Sequence, residues 1–327
     1  MPANLTPQYL EADKRFKAAK TIDDKLAALE EMLALIPKHK GTEHLQGDLK
    51  RRLAKLRAEA EQVRRRRGGS SIVVEREGAG QVVLVGPPNA GKSSLVRCLT
   101  KAQPEVGDYP FTTRRPIAGM MPFINVQIQL VDLPAISEEY MESWVPSLIR
   151  PADLALFVVD IVSPSLLEDM EQVPAILERS KVRLVSPGSS SPPLGWAHVG
   201  SLLLANKADA SSADASLDVL RAYHGSRWPL HAVSAQTGLG LETLRRMIYD
   251  GLRIVRVYSK PPGKDPSMQS PVVLPQGSTI VEMAAAIHKD FAQQLKFARV
   301  WGGTKFSGQR VQRDYVVQEG DIIELHI

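Results

Sequence analysis

The chain has one cysteine in 327 residues, so no internal disulfide can staple it, which suits a reducing compartment. That residue, Cys98, stands in the apolar pattern SSLVRCLT and is expected to be a plain buried thiol. No apolar run reaches the roughly 18–20 residues that span a bilayer. The opening residues, MPANLTPQYLEADKR, lack the apolar stretch of a secretory signal. The expected setting is therefore cytoplasmic, with no membrane partner. The seven histidines show no ligand spacing with cysteine or acids, which argues against a zinc centre. Glycine is missing between Met1 and Gly41, as a long helical stretch requires.

What is present is an ordinary globular composition, long enough for two or three domains. The net charge of +5 is unevenly placed. Residues 38–67 hold eleven Lys/Arg against four acids, a local excess larger than that of the whole chain. The positive charge belongs to one arm, residues 1–70. There Leu26, Leu29, Met32, Leu33 and Leu35 recur at helical spacing, Pro37 and Gly41 interrupt, and Leu45, Leu49, Leu53 and Leu56 resume it. This predicts a helical hairpin whose apolar faces pack on each other or on a helical protein partner. Arg64–Arg67, followed by Gly68, Gly69, Ser70 and Ser71, marks a boundary. The cations suit phosphate-backbone contact with RNA, ribosomal RNA in particular, or else a solvated helix face. No aromatics interleave with them, so base reading by the arm is not supported.

From about 71 to 251 strand and helix signals alternate, which predicts an α/β domain with a mostly parallel sheet. Strands are expected at 81–85, 126–131, 153–160, 199–205 and 229–233. Helices are expected at 91–101, 137–149, 165–179, 213–224 and 239–251. A Ser/Pro/Gly-rich loop insertion is expected near 180–198. Residues 252–327 read as a small sheet crossed by one helix, IVEMAAAIHKDF.

The chemistry is carried by VVLV followed by Gly86-Pro87-Pro88-Asn89-Ala90-Gly91-Lys92-Ser93-Ser94. It matches the P-loop pattern, placed between an apolar strand and a helix. Gly86 and Gly91 let backbone N–H groups turn inward to phosphate oxygens, and the helix adds the positive end of its dipole. Lys92 is expected at the β- and γ-phosphates and Ser93 at Mg²⁺. Asn206-Lys207-Ala208-Asp209, directly after a second apolar strand, chooses the base. The Asp209 carboxylate can accept from guanine N1–H and the 2-amino group together, whereas adenine would leave it unpaired. Asn206 would tie this loop to the P-loop, with the Lys207 stem along the base. Ser234-Ala235-Gln236, at another strand end, closes the pocket, with the Ala235 N–H facing guanine O6. Asp132, in VDLP, is expected to hold Mg²⁺ through water. In YPFTT, Thr112 or Thr113 is expected to sense the γ-phosphate, Thr113 being favoured as the Mg²⁺ ligand.

With these residues in view, the chain resembles GTPases of the Obg/DRG group, the developmentally regulated GTP-binding proteins and their prokaryotic relatives. GPPNAGKSS, YPFTT, VDLP and NKAD carry the resemblance in a P-loop G domain. GSTIVEMAAAIHKDF, KFARVWG and DYVVQEGDIIELHI resemble a TGS domain, a small β-grasp module. IPKHKGTEHLQGDLKRRLAKLR resembles the helical segment that precedes the G domain in that group. The resemblance implies GTP hydrolysis to GDP and phosphate, Mg²⁺, and association with ribosomes or RNA through the arm and the TGS domain. Two departures stand out. The glycine that closes the DxxG motif is Ala135, and Ile136 occupies the place where many GTPases carry a water-orienting glutamine. Turnover is therefore expected to be slow without help. In related GTPases an asparagine at the place of Asn89 helps bind K⁺, so Asn89 either does this or simply braces the loop. The expected catalytic set is Lys92, Thr113 and Asn89. The competing reading is a GTP/GDP-binding scaffold with negligible hydrolysis; an ATPase is disfavoured by Asp209.

Overall fold

The structure is a computed structural model. It describes residues 15–16, 28–29, 31–33, 35, 49, 51, 53, 73–100, 115–189, 192–224, 227–303 and 306–327. Contacts divide the chain into two compact units, Met1–Ile72 and Val73–Ile327. In the first, every described residue is helical. Leu29 and Met32 are buried with Leu49 and Leu53, and Phe16, Leu33 and Leu35 pack against them. Apolar stripes from either side of Pro37–Gly41 therefore meet, as the leucine spacing predicts. Of the eleven cations at 38–67, only Arg51 is among the described residues.

The second unit holds two sheets. The larger contains β1 (Gln81–Val85), β2 (Ile117–Phe123), β3 (Val126–Asp132), β4 (Leu154–Asp160), β5 (Val182–Val185), β6 (Ala197–Asn206) and β7 (Leu230–Ala232). Its order is β2-β3-β1-β4-β6-β5, with β7 also on β6. All pairings are parallel except the β2–β3 hairpin. β1 and β4 are buried along their apolar length because helices cover both sheet faces, so they read as continuous apolar runs. The helices are α1 (Lys92–Leu99), α2 (Val145–Ile149), α3 (Leu166–Arg179), α4 (Ala213–His224) and α5 (Leu241–Gly251). Leu95, Val96 and Leu99 of α1 and Leu244 and Ile248 of α5 share one core with Val82, Leu84, Leu130 and Leu204.

Three expectations need correction. Residues 137–149 are helical only over Val145–Ile149. Ile136 N–H is fixed to Gly86 O at 3.1 Å, and Ser137 and Tyr140 exchange backbone hydrogen bonds, so the segment turns before it can wind. Strand β2 was not expected. The stretch near 180–198 opens with β5, paired parallel to β6, and its irregular part ends where β6 begins at Ala197.

The smaller sheet comprises β8 (Ile254–Ser259), β9 (Val272–Pro275), β10 (Phe297–Trp301), β11 (Gln309–Val311) and β12 (Ile322–His326) in the order β11-β10-β12-β8-β9. Here β12 and β8 run parallel and the other pairs antiparallel. Helix α6 (Ile280–Ile287) lays Ile280, Met283 and Ala284 on Val255, Val257, Ala298, Val300 and Ile323. The expected single helix is broken. His288, extended at φ −160°, ends α6 and caps α7 (Lys289–Gln294) by accepting the Asp290 N–H. It is exposed, not the packed helix residue its neighbours suggest.

Candidate nucleotide-binding site

The site lies where β1, β3, β4 and β6 end side by side, because parallel strands deliver their carboxyl-terminal loops to one edge of the sheet. The β1–α1 turn is built for glycine. Gly86 adopts φ +152°, and a Cβ there would lie 2.2 Å from Val158 O; Gly91 adopts φ +89°, and a Cβ would lie 2.2 Å from Asn206 Nδ2. Asn89 also sits in the left-handed region at φ 59° and is exposed, while Pro87 and Ala90 are buried, Pro88 is half-buried and Ser94 is exposed.

Lys92 folds back into this turn and donates to Gly86 O at 3.0 Å and Pro87 O at 2.9 Å. Burial pulls its ammonium down to about 8, against the opposing pull of the Asp132 charge. Ser93 Oγ donates to Asp132 Oδ2 at 2.5 Å. Burial raises the Asp132 carboxyl, while the Ser93 hydrogen bond and the Lys92 charge hold it down. Asp132 Oδ1 is buried without a hydrogen-bond partner. An orphaned buried carboxylate oxygen beside a hydroxyl is the donor chemistry a hard divalent cation takes. Ser93 and Asp132 thus fit Mg²⁺. Thr112 and Thr113 lie outside the described residues.

Asn206 joins three loops. Its Nδ2 donates to Ala90 O at 2.8 Å, and its Oδ1 accepts the Ala235 N–H at 3.2 Å. The Ala235 amide, assigned from sequence to guanine O6, is thus engaged by Asn206, and the two acceptors compete for one donor. Ser234 is buried and shapes its loop by accepting the Gln236 and Thr237 N–H groups, leaving Gln236 exposed. Lys207, at φ 64°, reaches Asp160 Oδ2 at 2.6 Å. Asp209 is exposed and makes no hydrogen bond with the described residues, so both carboxylate oxygens are available to a base.

Sequence reasoning missed three contributors. Asp160 ends β4 and orients Lys207, and its place at the end of an apolar strand was a usable signal. The Ile136 N–H holds Gly86 O, while its side chain is fully buried. Cys98 is exposed rather than buried, and its Sγ lies 3.0 Å from Ala235 O.

Comparison with known proteins agrees with this geometry. The family described as 50S ribosome-binding GTPase matches residues 81–186, and the TGS domain family matches 255–327. A GTP-binding protein of Methanocaldococcus jannaschii is 29% identical, covering 94% of this chain and 93% of its own length. Developmentally-regulated GTP-binding protein 1 of Xenopus laevis is 29% identical over 92% of this chain and 98% of its own. The chain is a homologue of the developmentally regulated GTP-binding proteins. This DRG homologue is a GTP-binding protein with a P-loop G domain and a C-terminal TGS domain. Human developmentally-regulated GTP-binding protein 2 is 26% identical at the same coverage of this chain. Among solved structures, Era in complex with MgGDPNP and a segment of 16S ribosomal RNA aligns with 69% of this chain and 72% of its own, at 23% identity and a TM-score of 0.43. Among the described residues of the DRG homologue, no helix is long and apolar enough to cross a membrane.

Proposed function

We propose that the chain hydrolyses GTP to GDP and phosphate, slowly on its own, and that it works as a ribosome-associated switch in the cytoplasm. The arm at 1–70, the nucleotide unit at 71–251 and the small domain at 252–327 divide the labour. The observation that carries the reading is the convergence of Lys92, Ser93 and Asp132, with an unpartnered buried oxygen, beneath a glycine-bent turn. In the reaction a water oxygen bonds to the γ-phosphorus as the bond to the β,γ-bridging oxygen breaks, and the electron pair stays on GDP. Lys92 and the turn's amides offset the charge that builds on the phosphates, and Asp209 holds guanine. Bound Mg²⁺, held by Ser93 and Asp132 and by Thr113, would add charge neutralisation.

Slowness follows from Ile136. Its buried side chain offers no polar group to orient water, so an outside group must do so. Asn89, exposed and left-handed at the rim of the turn, is where K⁺ would enter. The first test is affinity for GTP, GDP and ATP in Mg²⁺, where guanine nucleotides are expected to bind at least ~10²-fold tighter. The second is single-turnover hydrolysis in KCl and NaCl at equal ionic strength, with faster turnover expected in K⁺. Equal rates remove the potassium role. No turnover in either salt or with ribosomes supports the second reading, a nucleotide-holding scaffold, which the burial of Ile136 favours. The cations of the arm support ribosomal RNA contact. Deleting residues 1–70 is expected to weaken ribosome pelleting and flatten its salt dependence.

A further inference from the structure

Strand β2 ends the larger sheet on one side and pairs with β3 alone. On β3, Gln127 O and Gln129 N–H turn towards Ala79 and Gly80, so the even-numbered residues of that strand are the ones that bond β2. The pairs Phe123–Val126, Met121–Ile128 and Gly119–Leu130 therefore carry the ladder. The residues between them, Ala118 and Met120, direct both N–H and C=O outward, and Pro122 its C=O. None of these groups finds a partner among the described residues. Edge strands are ordinarily blunted by lysine, proline or a bulge. Within β2 that guard is Pro122, next to the hairpin tip, and the rest of the edge is open.

A groove of about 420 Å³ lies against this strand, lined by Ala118 and Met120 of β2 and by Val74, Glu75 and Glu77 of the segment before β1. That segment is fixed from beneath. Buried Gln129 donates to Glu75 O at 2.9 Å, and Gln81 to Val74 O at 3.4 Å. Arg76, between the two glutamates, is engaged elsewhere, by Asp153 and Pro151 O. Glu75 and Glu77 are exposed, and neither carboxylate has a hydrogen bond or a cation among the described residues. No lysine or arginine lines the groove. Free backbone groups, a small apolar floor and two uncompensated negative charges thus adjoin one another.

We propose that the β2 edge takes up an extended, Lys- or Arg-bearing segment of a partner protein as an added strand. The main-chain bonds come from Ala118, Met120 and Pro122. Alternate side chains of the added strand fall on the groove's side of the sheet. Their stems lie over Ala118 and Met120, and their charged heads reach Glu75 and Glu77. Charge selects this occupant. An acidic strand would be repelled, and a second copy of this chain, paired edge to edge, would bring a second pair of glutamates to the same face. The inference does not rest on the hydrolysis or ribosome readings. It sets the partner one strand away from β3, whose last residue is Asp132.

The test uses the full chain and a fluorescent peptide of alternating lysine and valine, about eight residues long, read by anisotropy. Its counterparts are a glutamate–valine peptide and a lysine–valine peptide N-methylated throughout. The plain lysine peptide is expected to bind about tenfold or more tightly than either. Ala118→Pro deletes an outward N–H at an exposed position and spares the β3 ladder. It should lower that affinity about tenfold or more. Glu75→Lys with Glu77→Lys should reverse the preference between the lysine and glutamate peptides. Circular dichroism and GTP affinity, measured on each variant, separate loss of the edge from loss of the fold. Undetectable binding of the lysine peptide, equal binding of its N-methylated form, or full affinity after either variant overturns the proposal. Sedimentation of the chain alone gives the remaining outcome. Dimerisation that Ala118→Pro abolishes would hand the edge to a second copy and also overturn it.

Discussion

One side chain, Asn206, ties the glycine-bent turn after β1 to the loop that follows β7. Replacing it with alanine leaves Ala90 O and the Ala235 N–H without their partner. Each such buried group costs about 1–3 kcal/mol. Asn206→Ala should therefore lower GTP affinity about 30-fold or more, given about 1.4 kcal/mol per decade in affinity, measurable by titration calorimetry. Unchanged affinity would mean that the loops are held by other contacts. Gly91→Ala tests the same joint from the other side. Its Cβ would collide with Asn206 Nδ2 and its φ of +89° is strained for alanine, so nucleotide binding should fall sharply while circular dichroism stays native. The convergence of Lys92, Ser93, Asp132 and Asn206 was legible from sequence because each motif sits at the end of an apolar strand, where a parallel sheet brings strand ends together. Cys98 was misread although its signal was present. Helix α1 buries Lys92, Leu95, Val96 and Leu99, steps of three, one and three, and position 98 falls outside that stripe. The hold of Asn206 on the Ala235 amide was not legible, because it depends on a residue twenty-nine positions earlier in the chain.

Elements were legible where a single period ran for several residues. The continuous apolar runs of β1 and β4 and the 3.6-residue stripe of α3 declare themselves. Strand β2 did not, since IAGMMPF carries Gly119 and Pro122 within it, and proline in a strand is tolerated only at an edge; β2 is the edge. Position in the sheet, not local preference, makes it a strand. The false helix at 137–149 has the same origin. Its composition suits a helix, but Ile136 is anchored to the P-loop backbone and Pro146 fixes the start of α2. By contrast α6 begins with a complete local signal. Thr279 accepts the Glu282 N–H, and Glu282 returns a bond to the Thr279 N–H. Thr279→Ala should cost about 1 kcal/mol of stability in urea unfolding without altering GTP affinity. A change in GTP affinity instead would link α6 to the nucleotide site.

At the scale of the molecule, the two sheets meet through the tip of the β2–β3 hairpin, and no sequence motif announced this. Asn125 donates to the Tyr258 hydroxyl at 2.9 Å and Met268 O at 3.1 Å, and accepts from Arg256 at 2.6 Å. Arg256 also holds Glu319, which accepts a hydrogen bond from the Tyr249 hydroxyl at 2.9 Å, and Phe123 stacks on Tyr249. Burial opposes ionisation of Glu319, but hydrogen bonds from the Arg256 backbone, its guanidinium and Tyr249 outweigh it and leave the carboxyl below its usual value. The unfolded chain therefore binds more protons just below pH 4.5, so this contribution is present above that pH and lost as pH falls through the folded value. Solvent screening at this partly exposed carboxylate keeps it to about 1 kcal/mol. Glu319→Gln should correspondingly flatten acid unfolding between about pH 5 and 3. Arg256 is the stronger test, because its side chain is only 12% exposed and touches both sheets. Arg256→Ala leaves Glu319 and Asn125 facing each other without the cation, a loss of about 2–4 kcal/mol confined to the junction. In scanning calorimetry the single transition expected of the native chain should then divide, the C-terminal sheet melting first. A transition that stays single and merely shifts would place the mechanical link between the sheets elsewhere than at this hairpin.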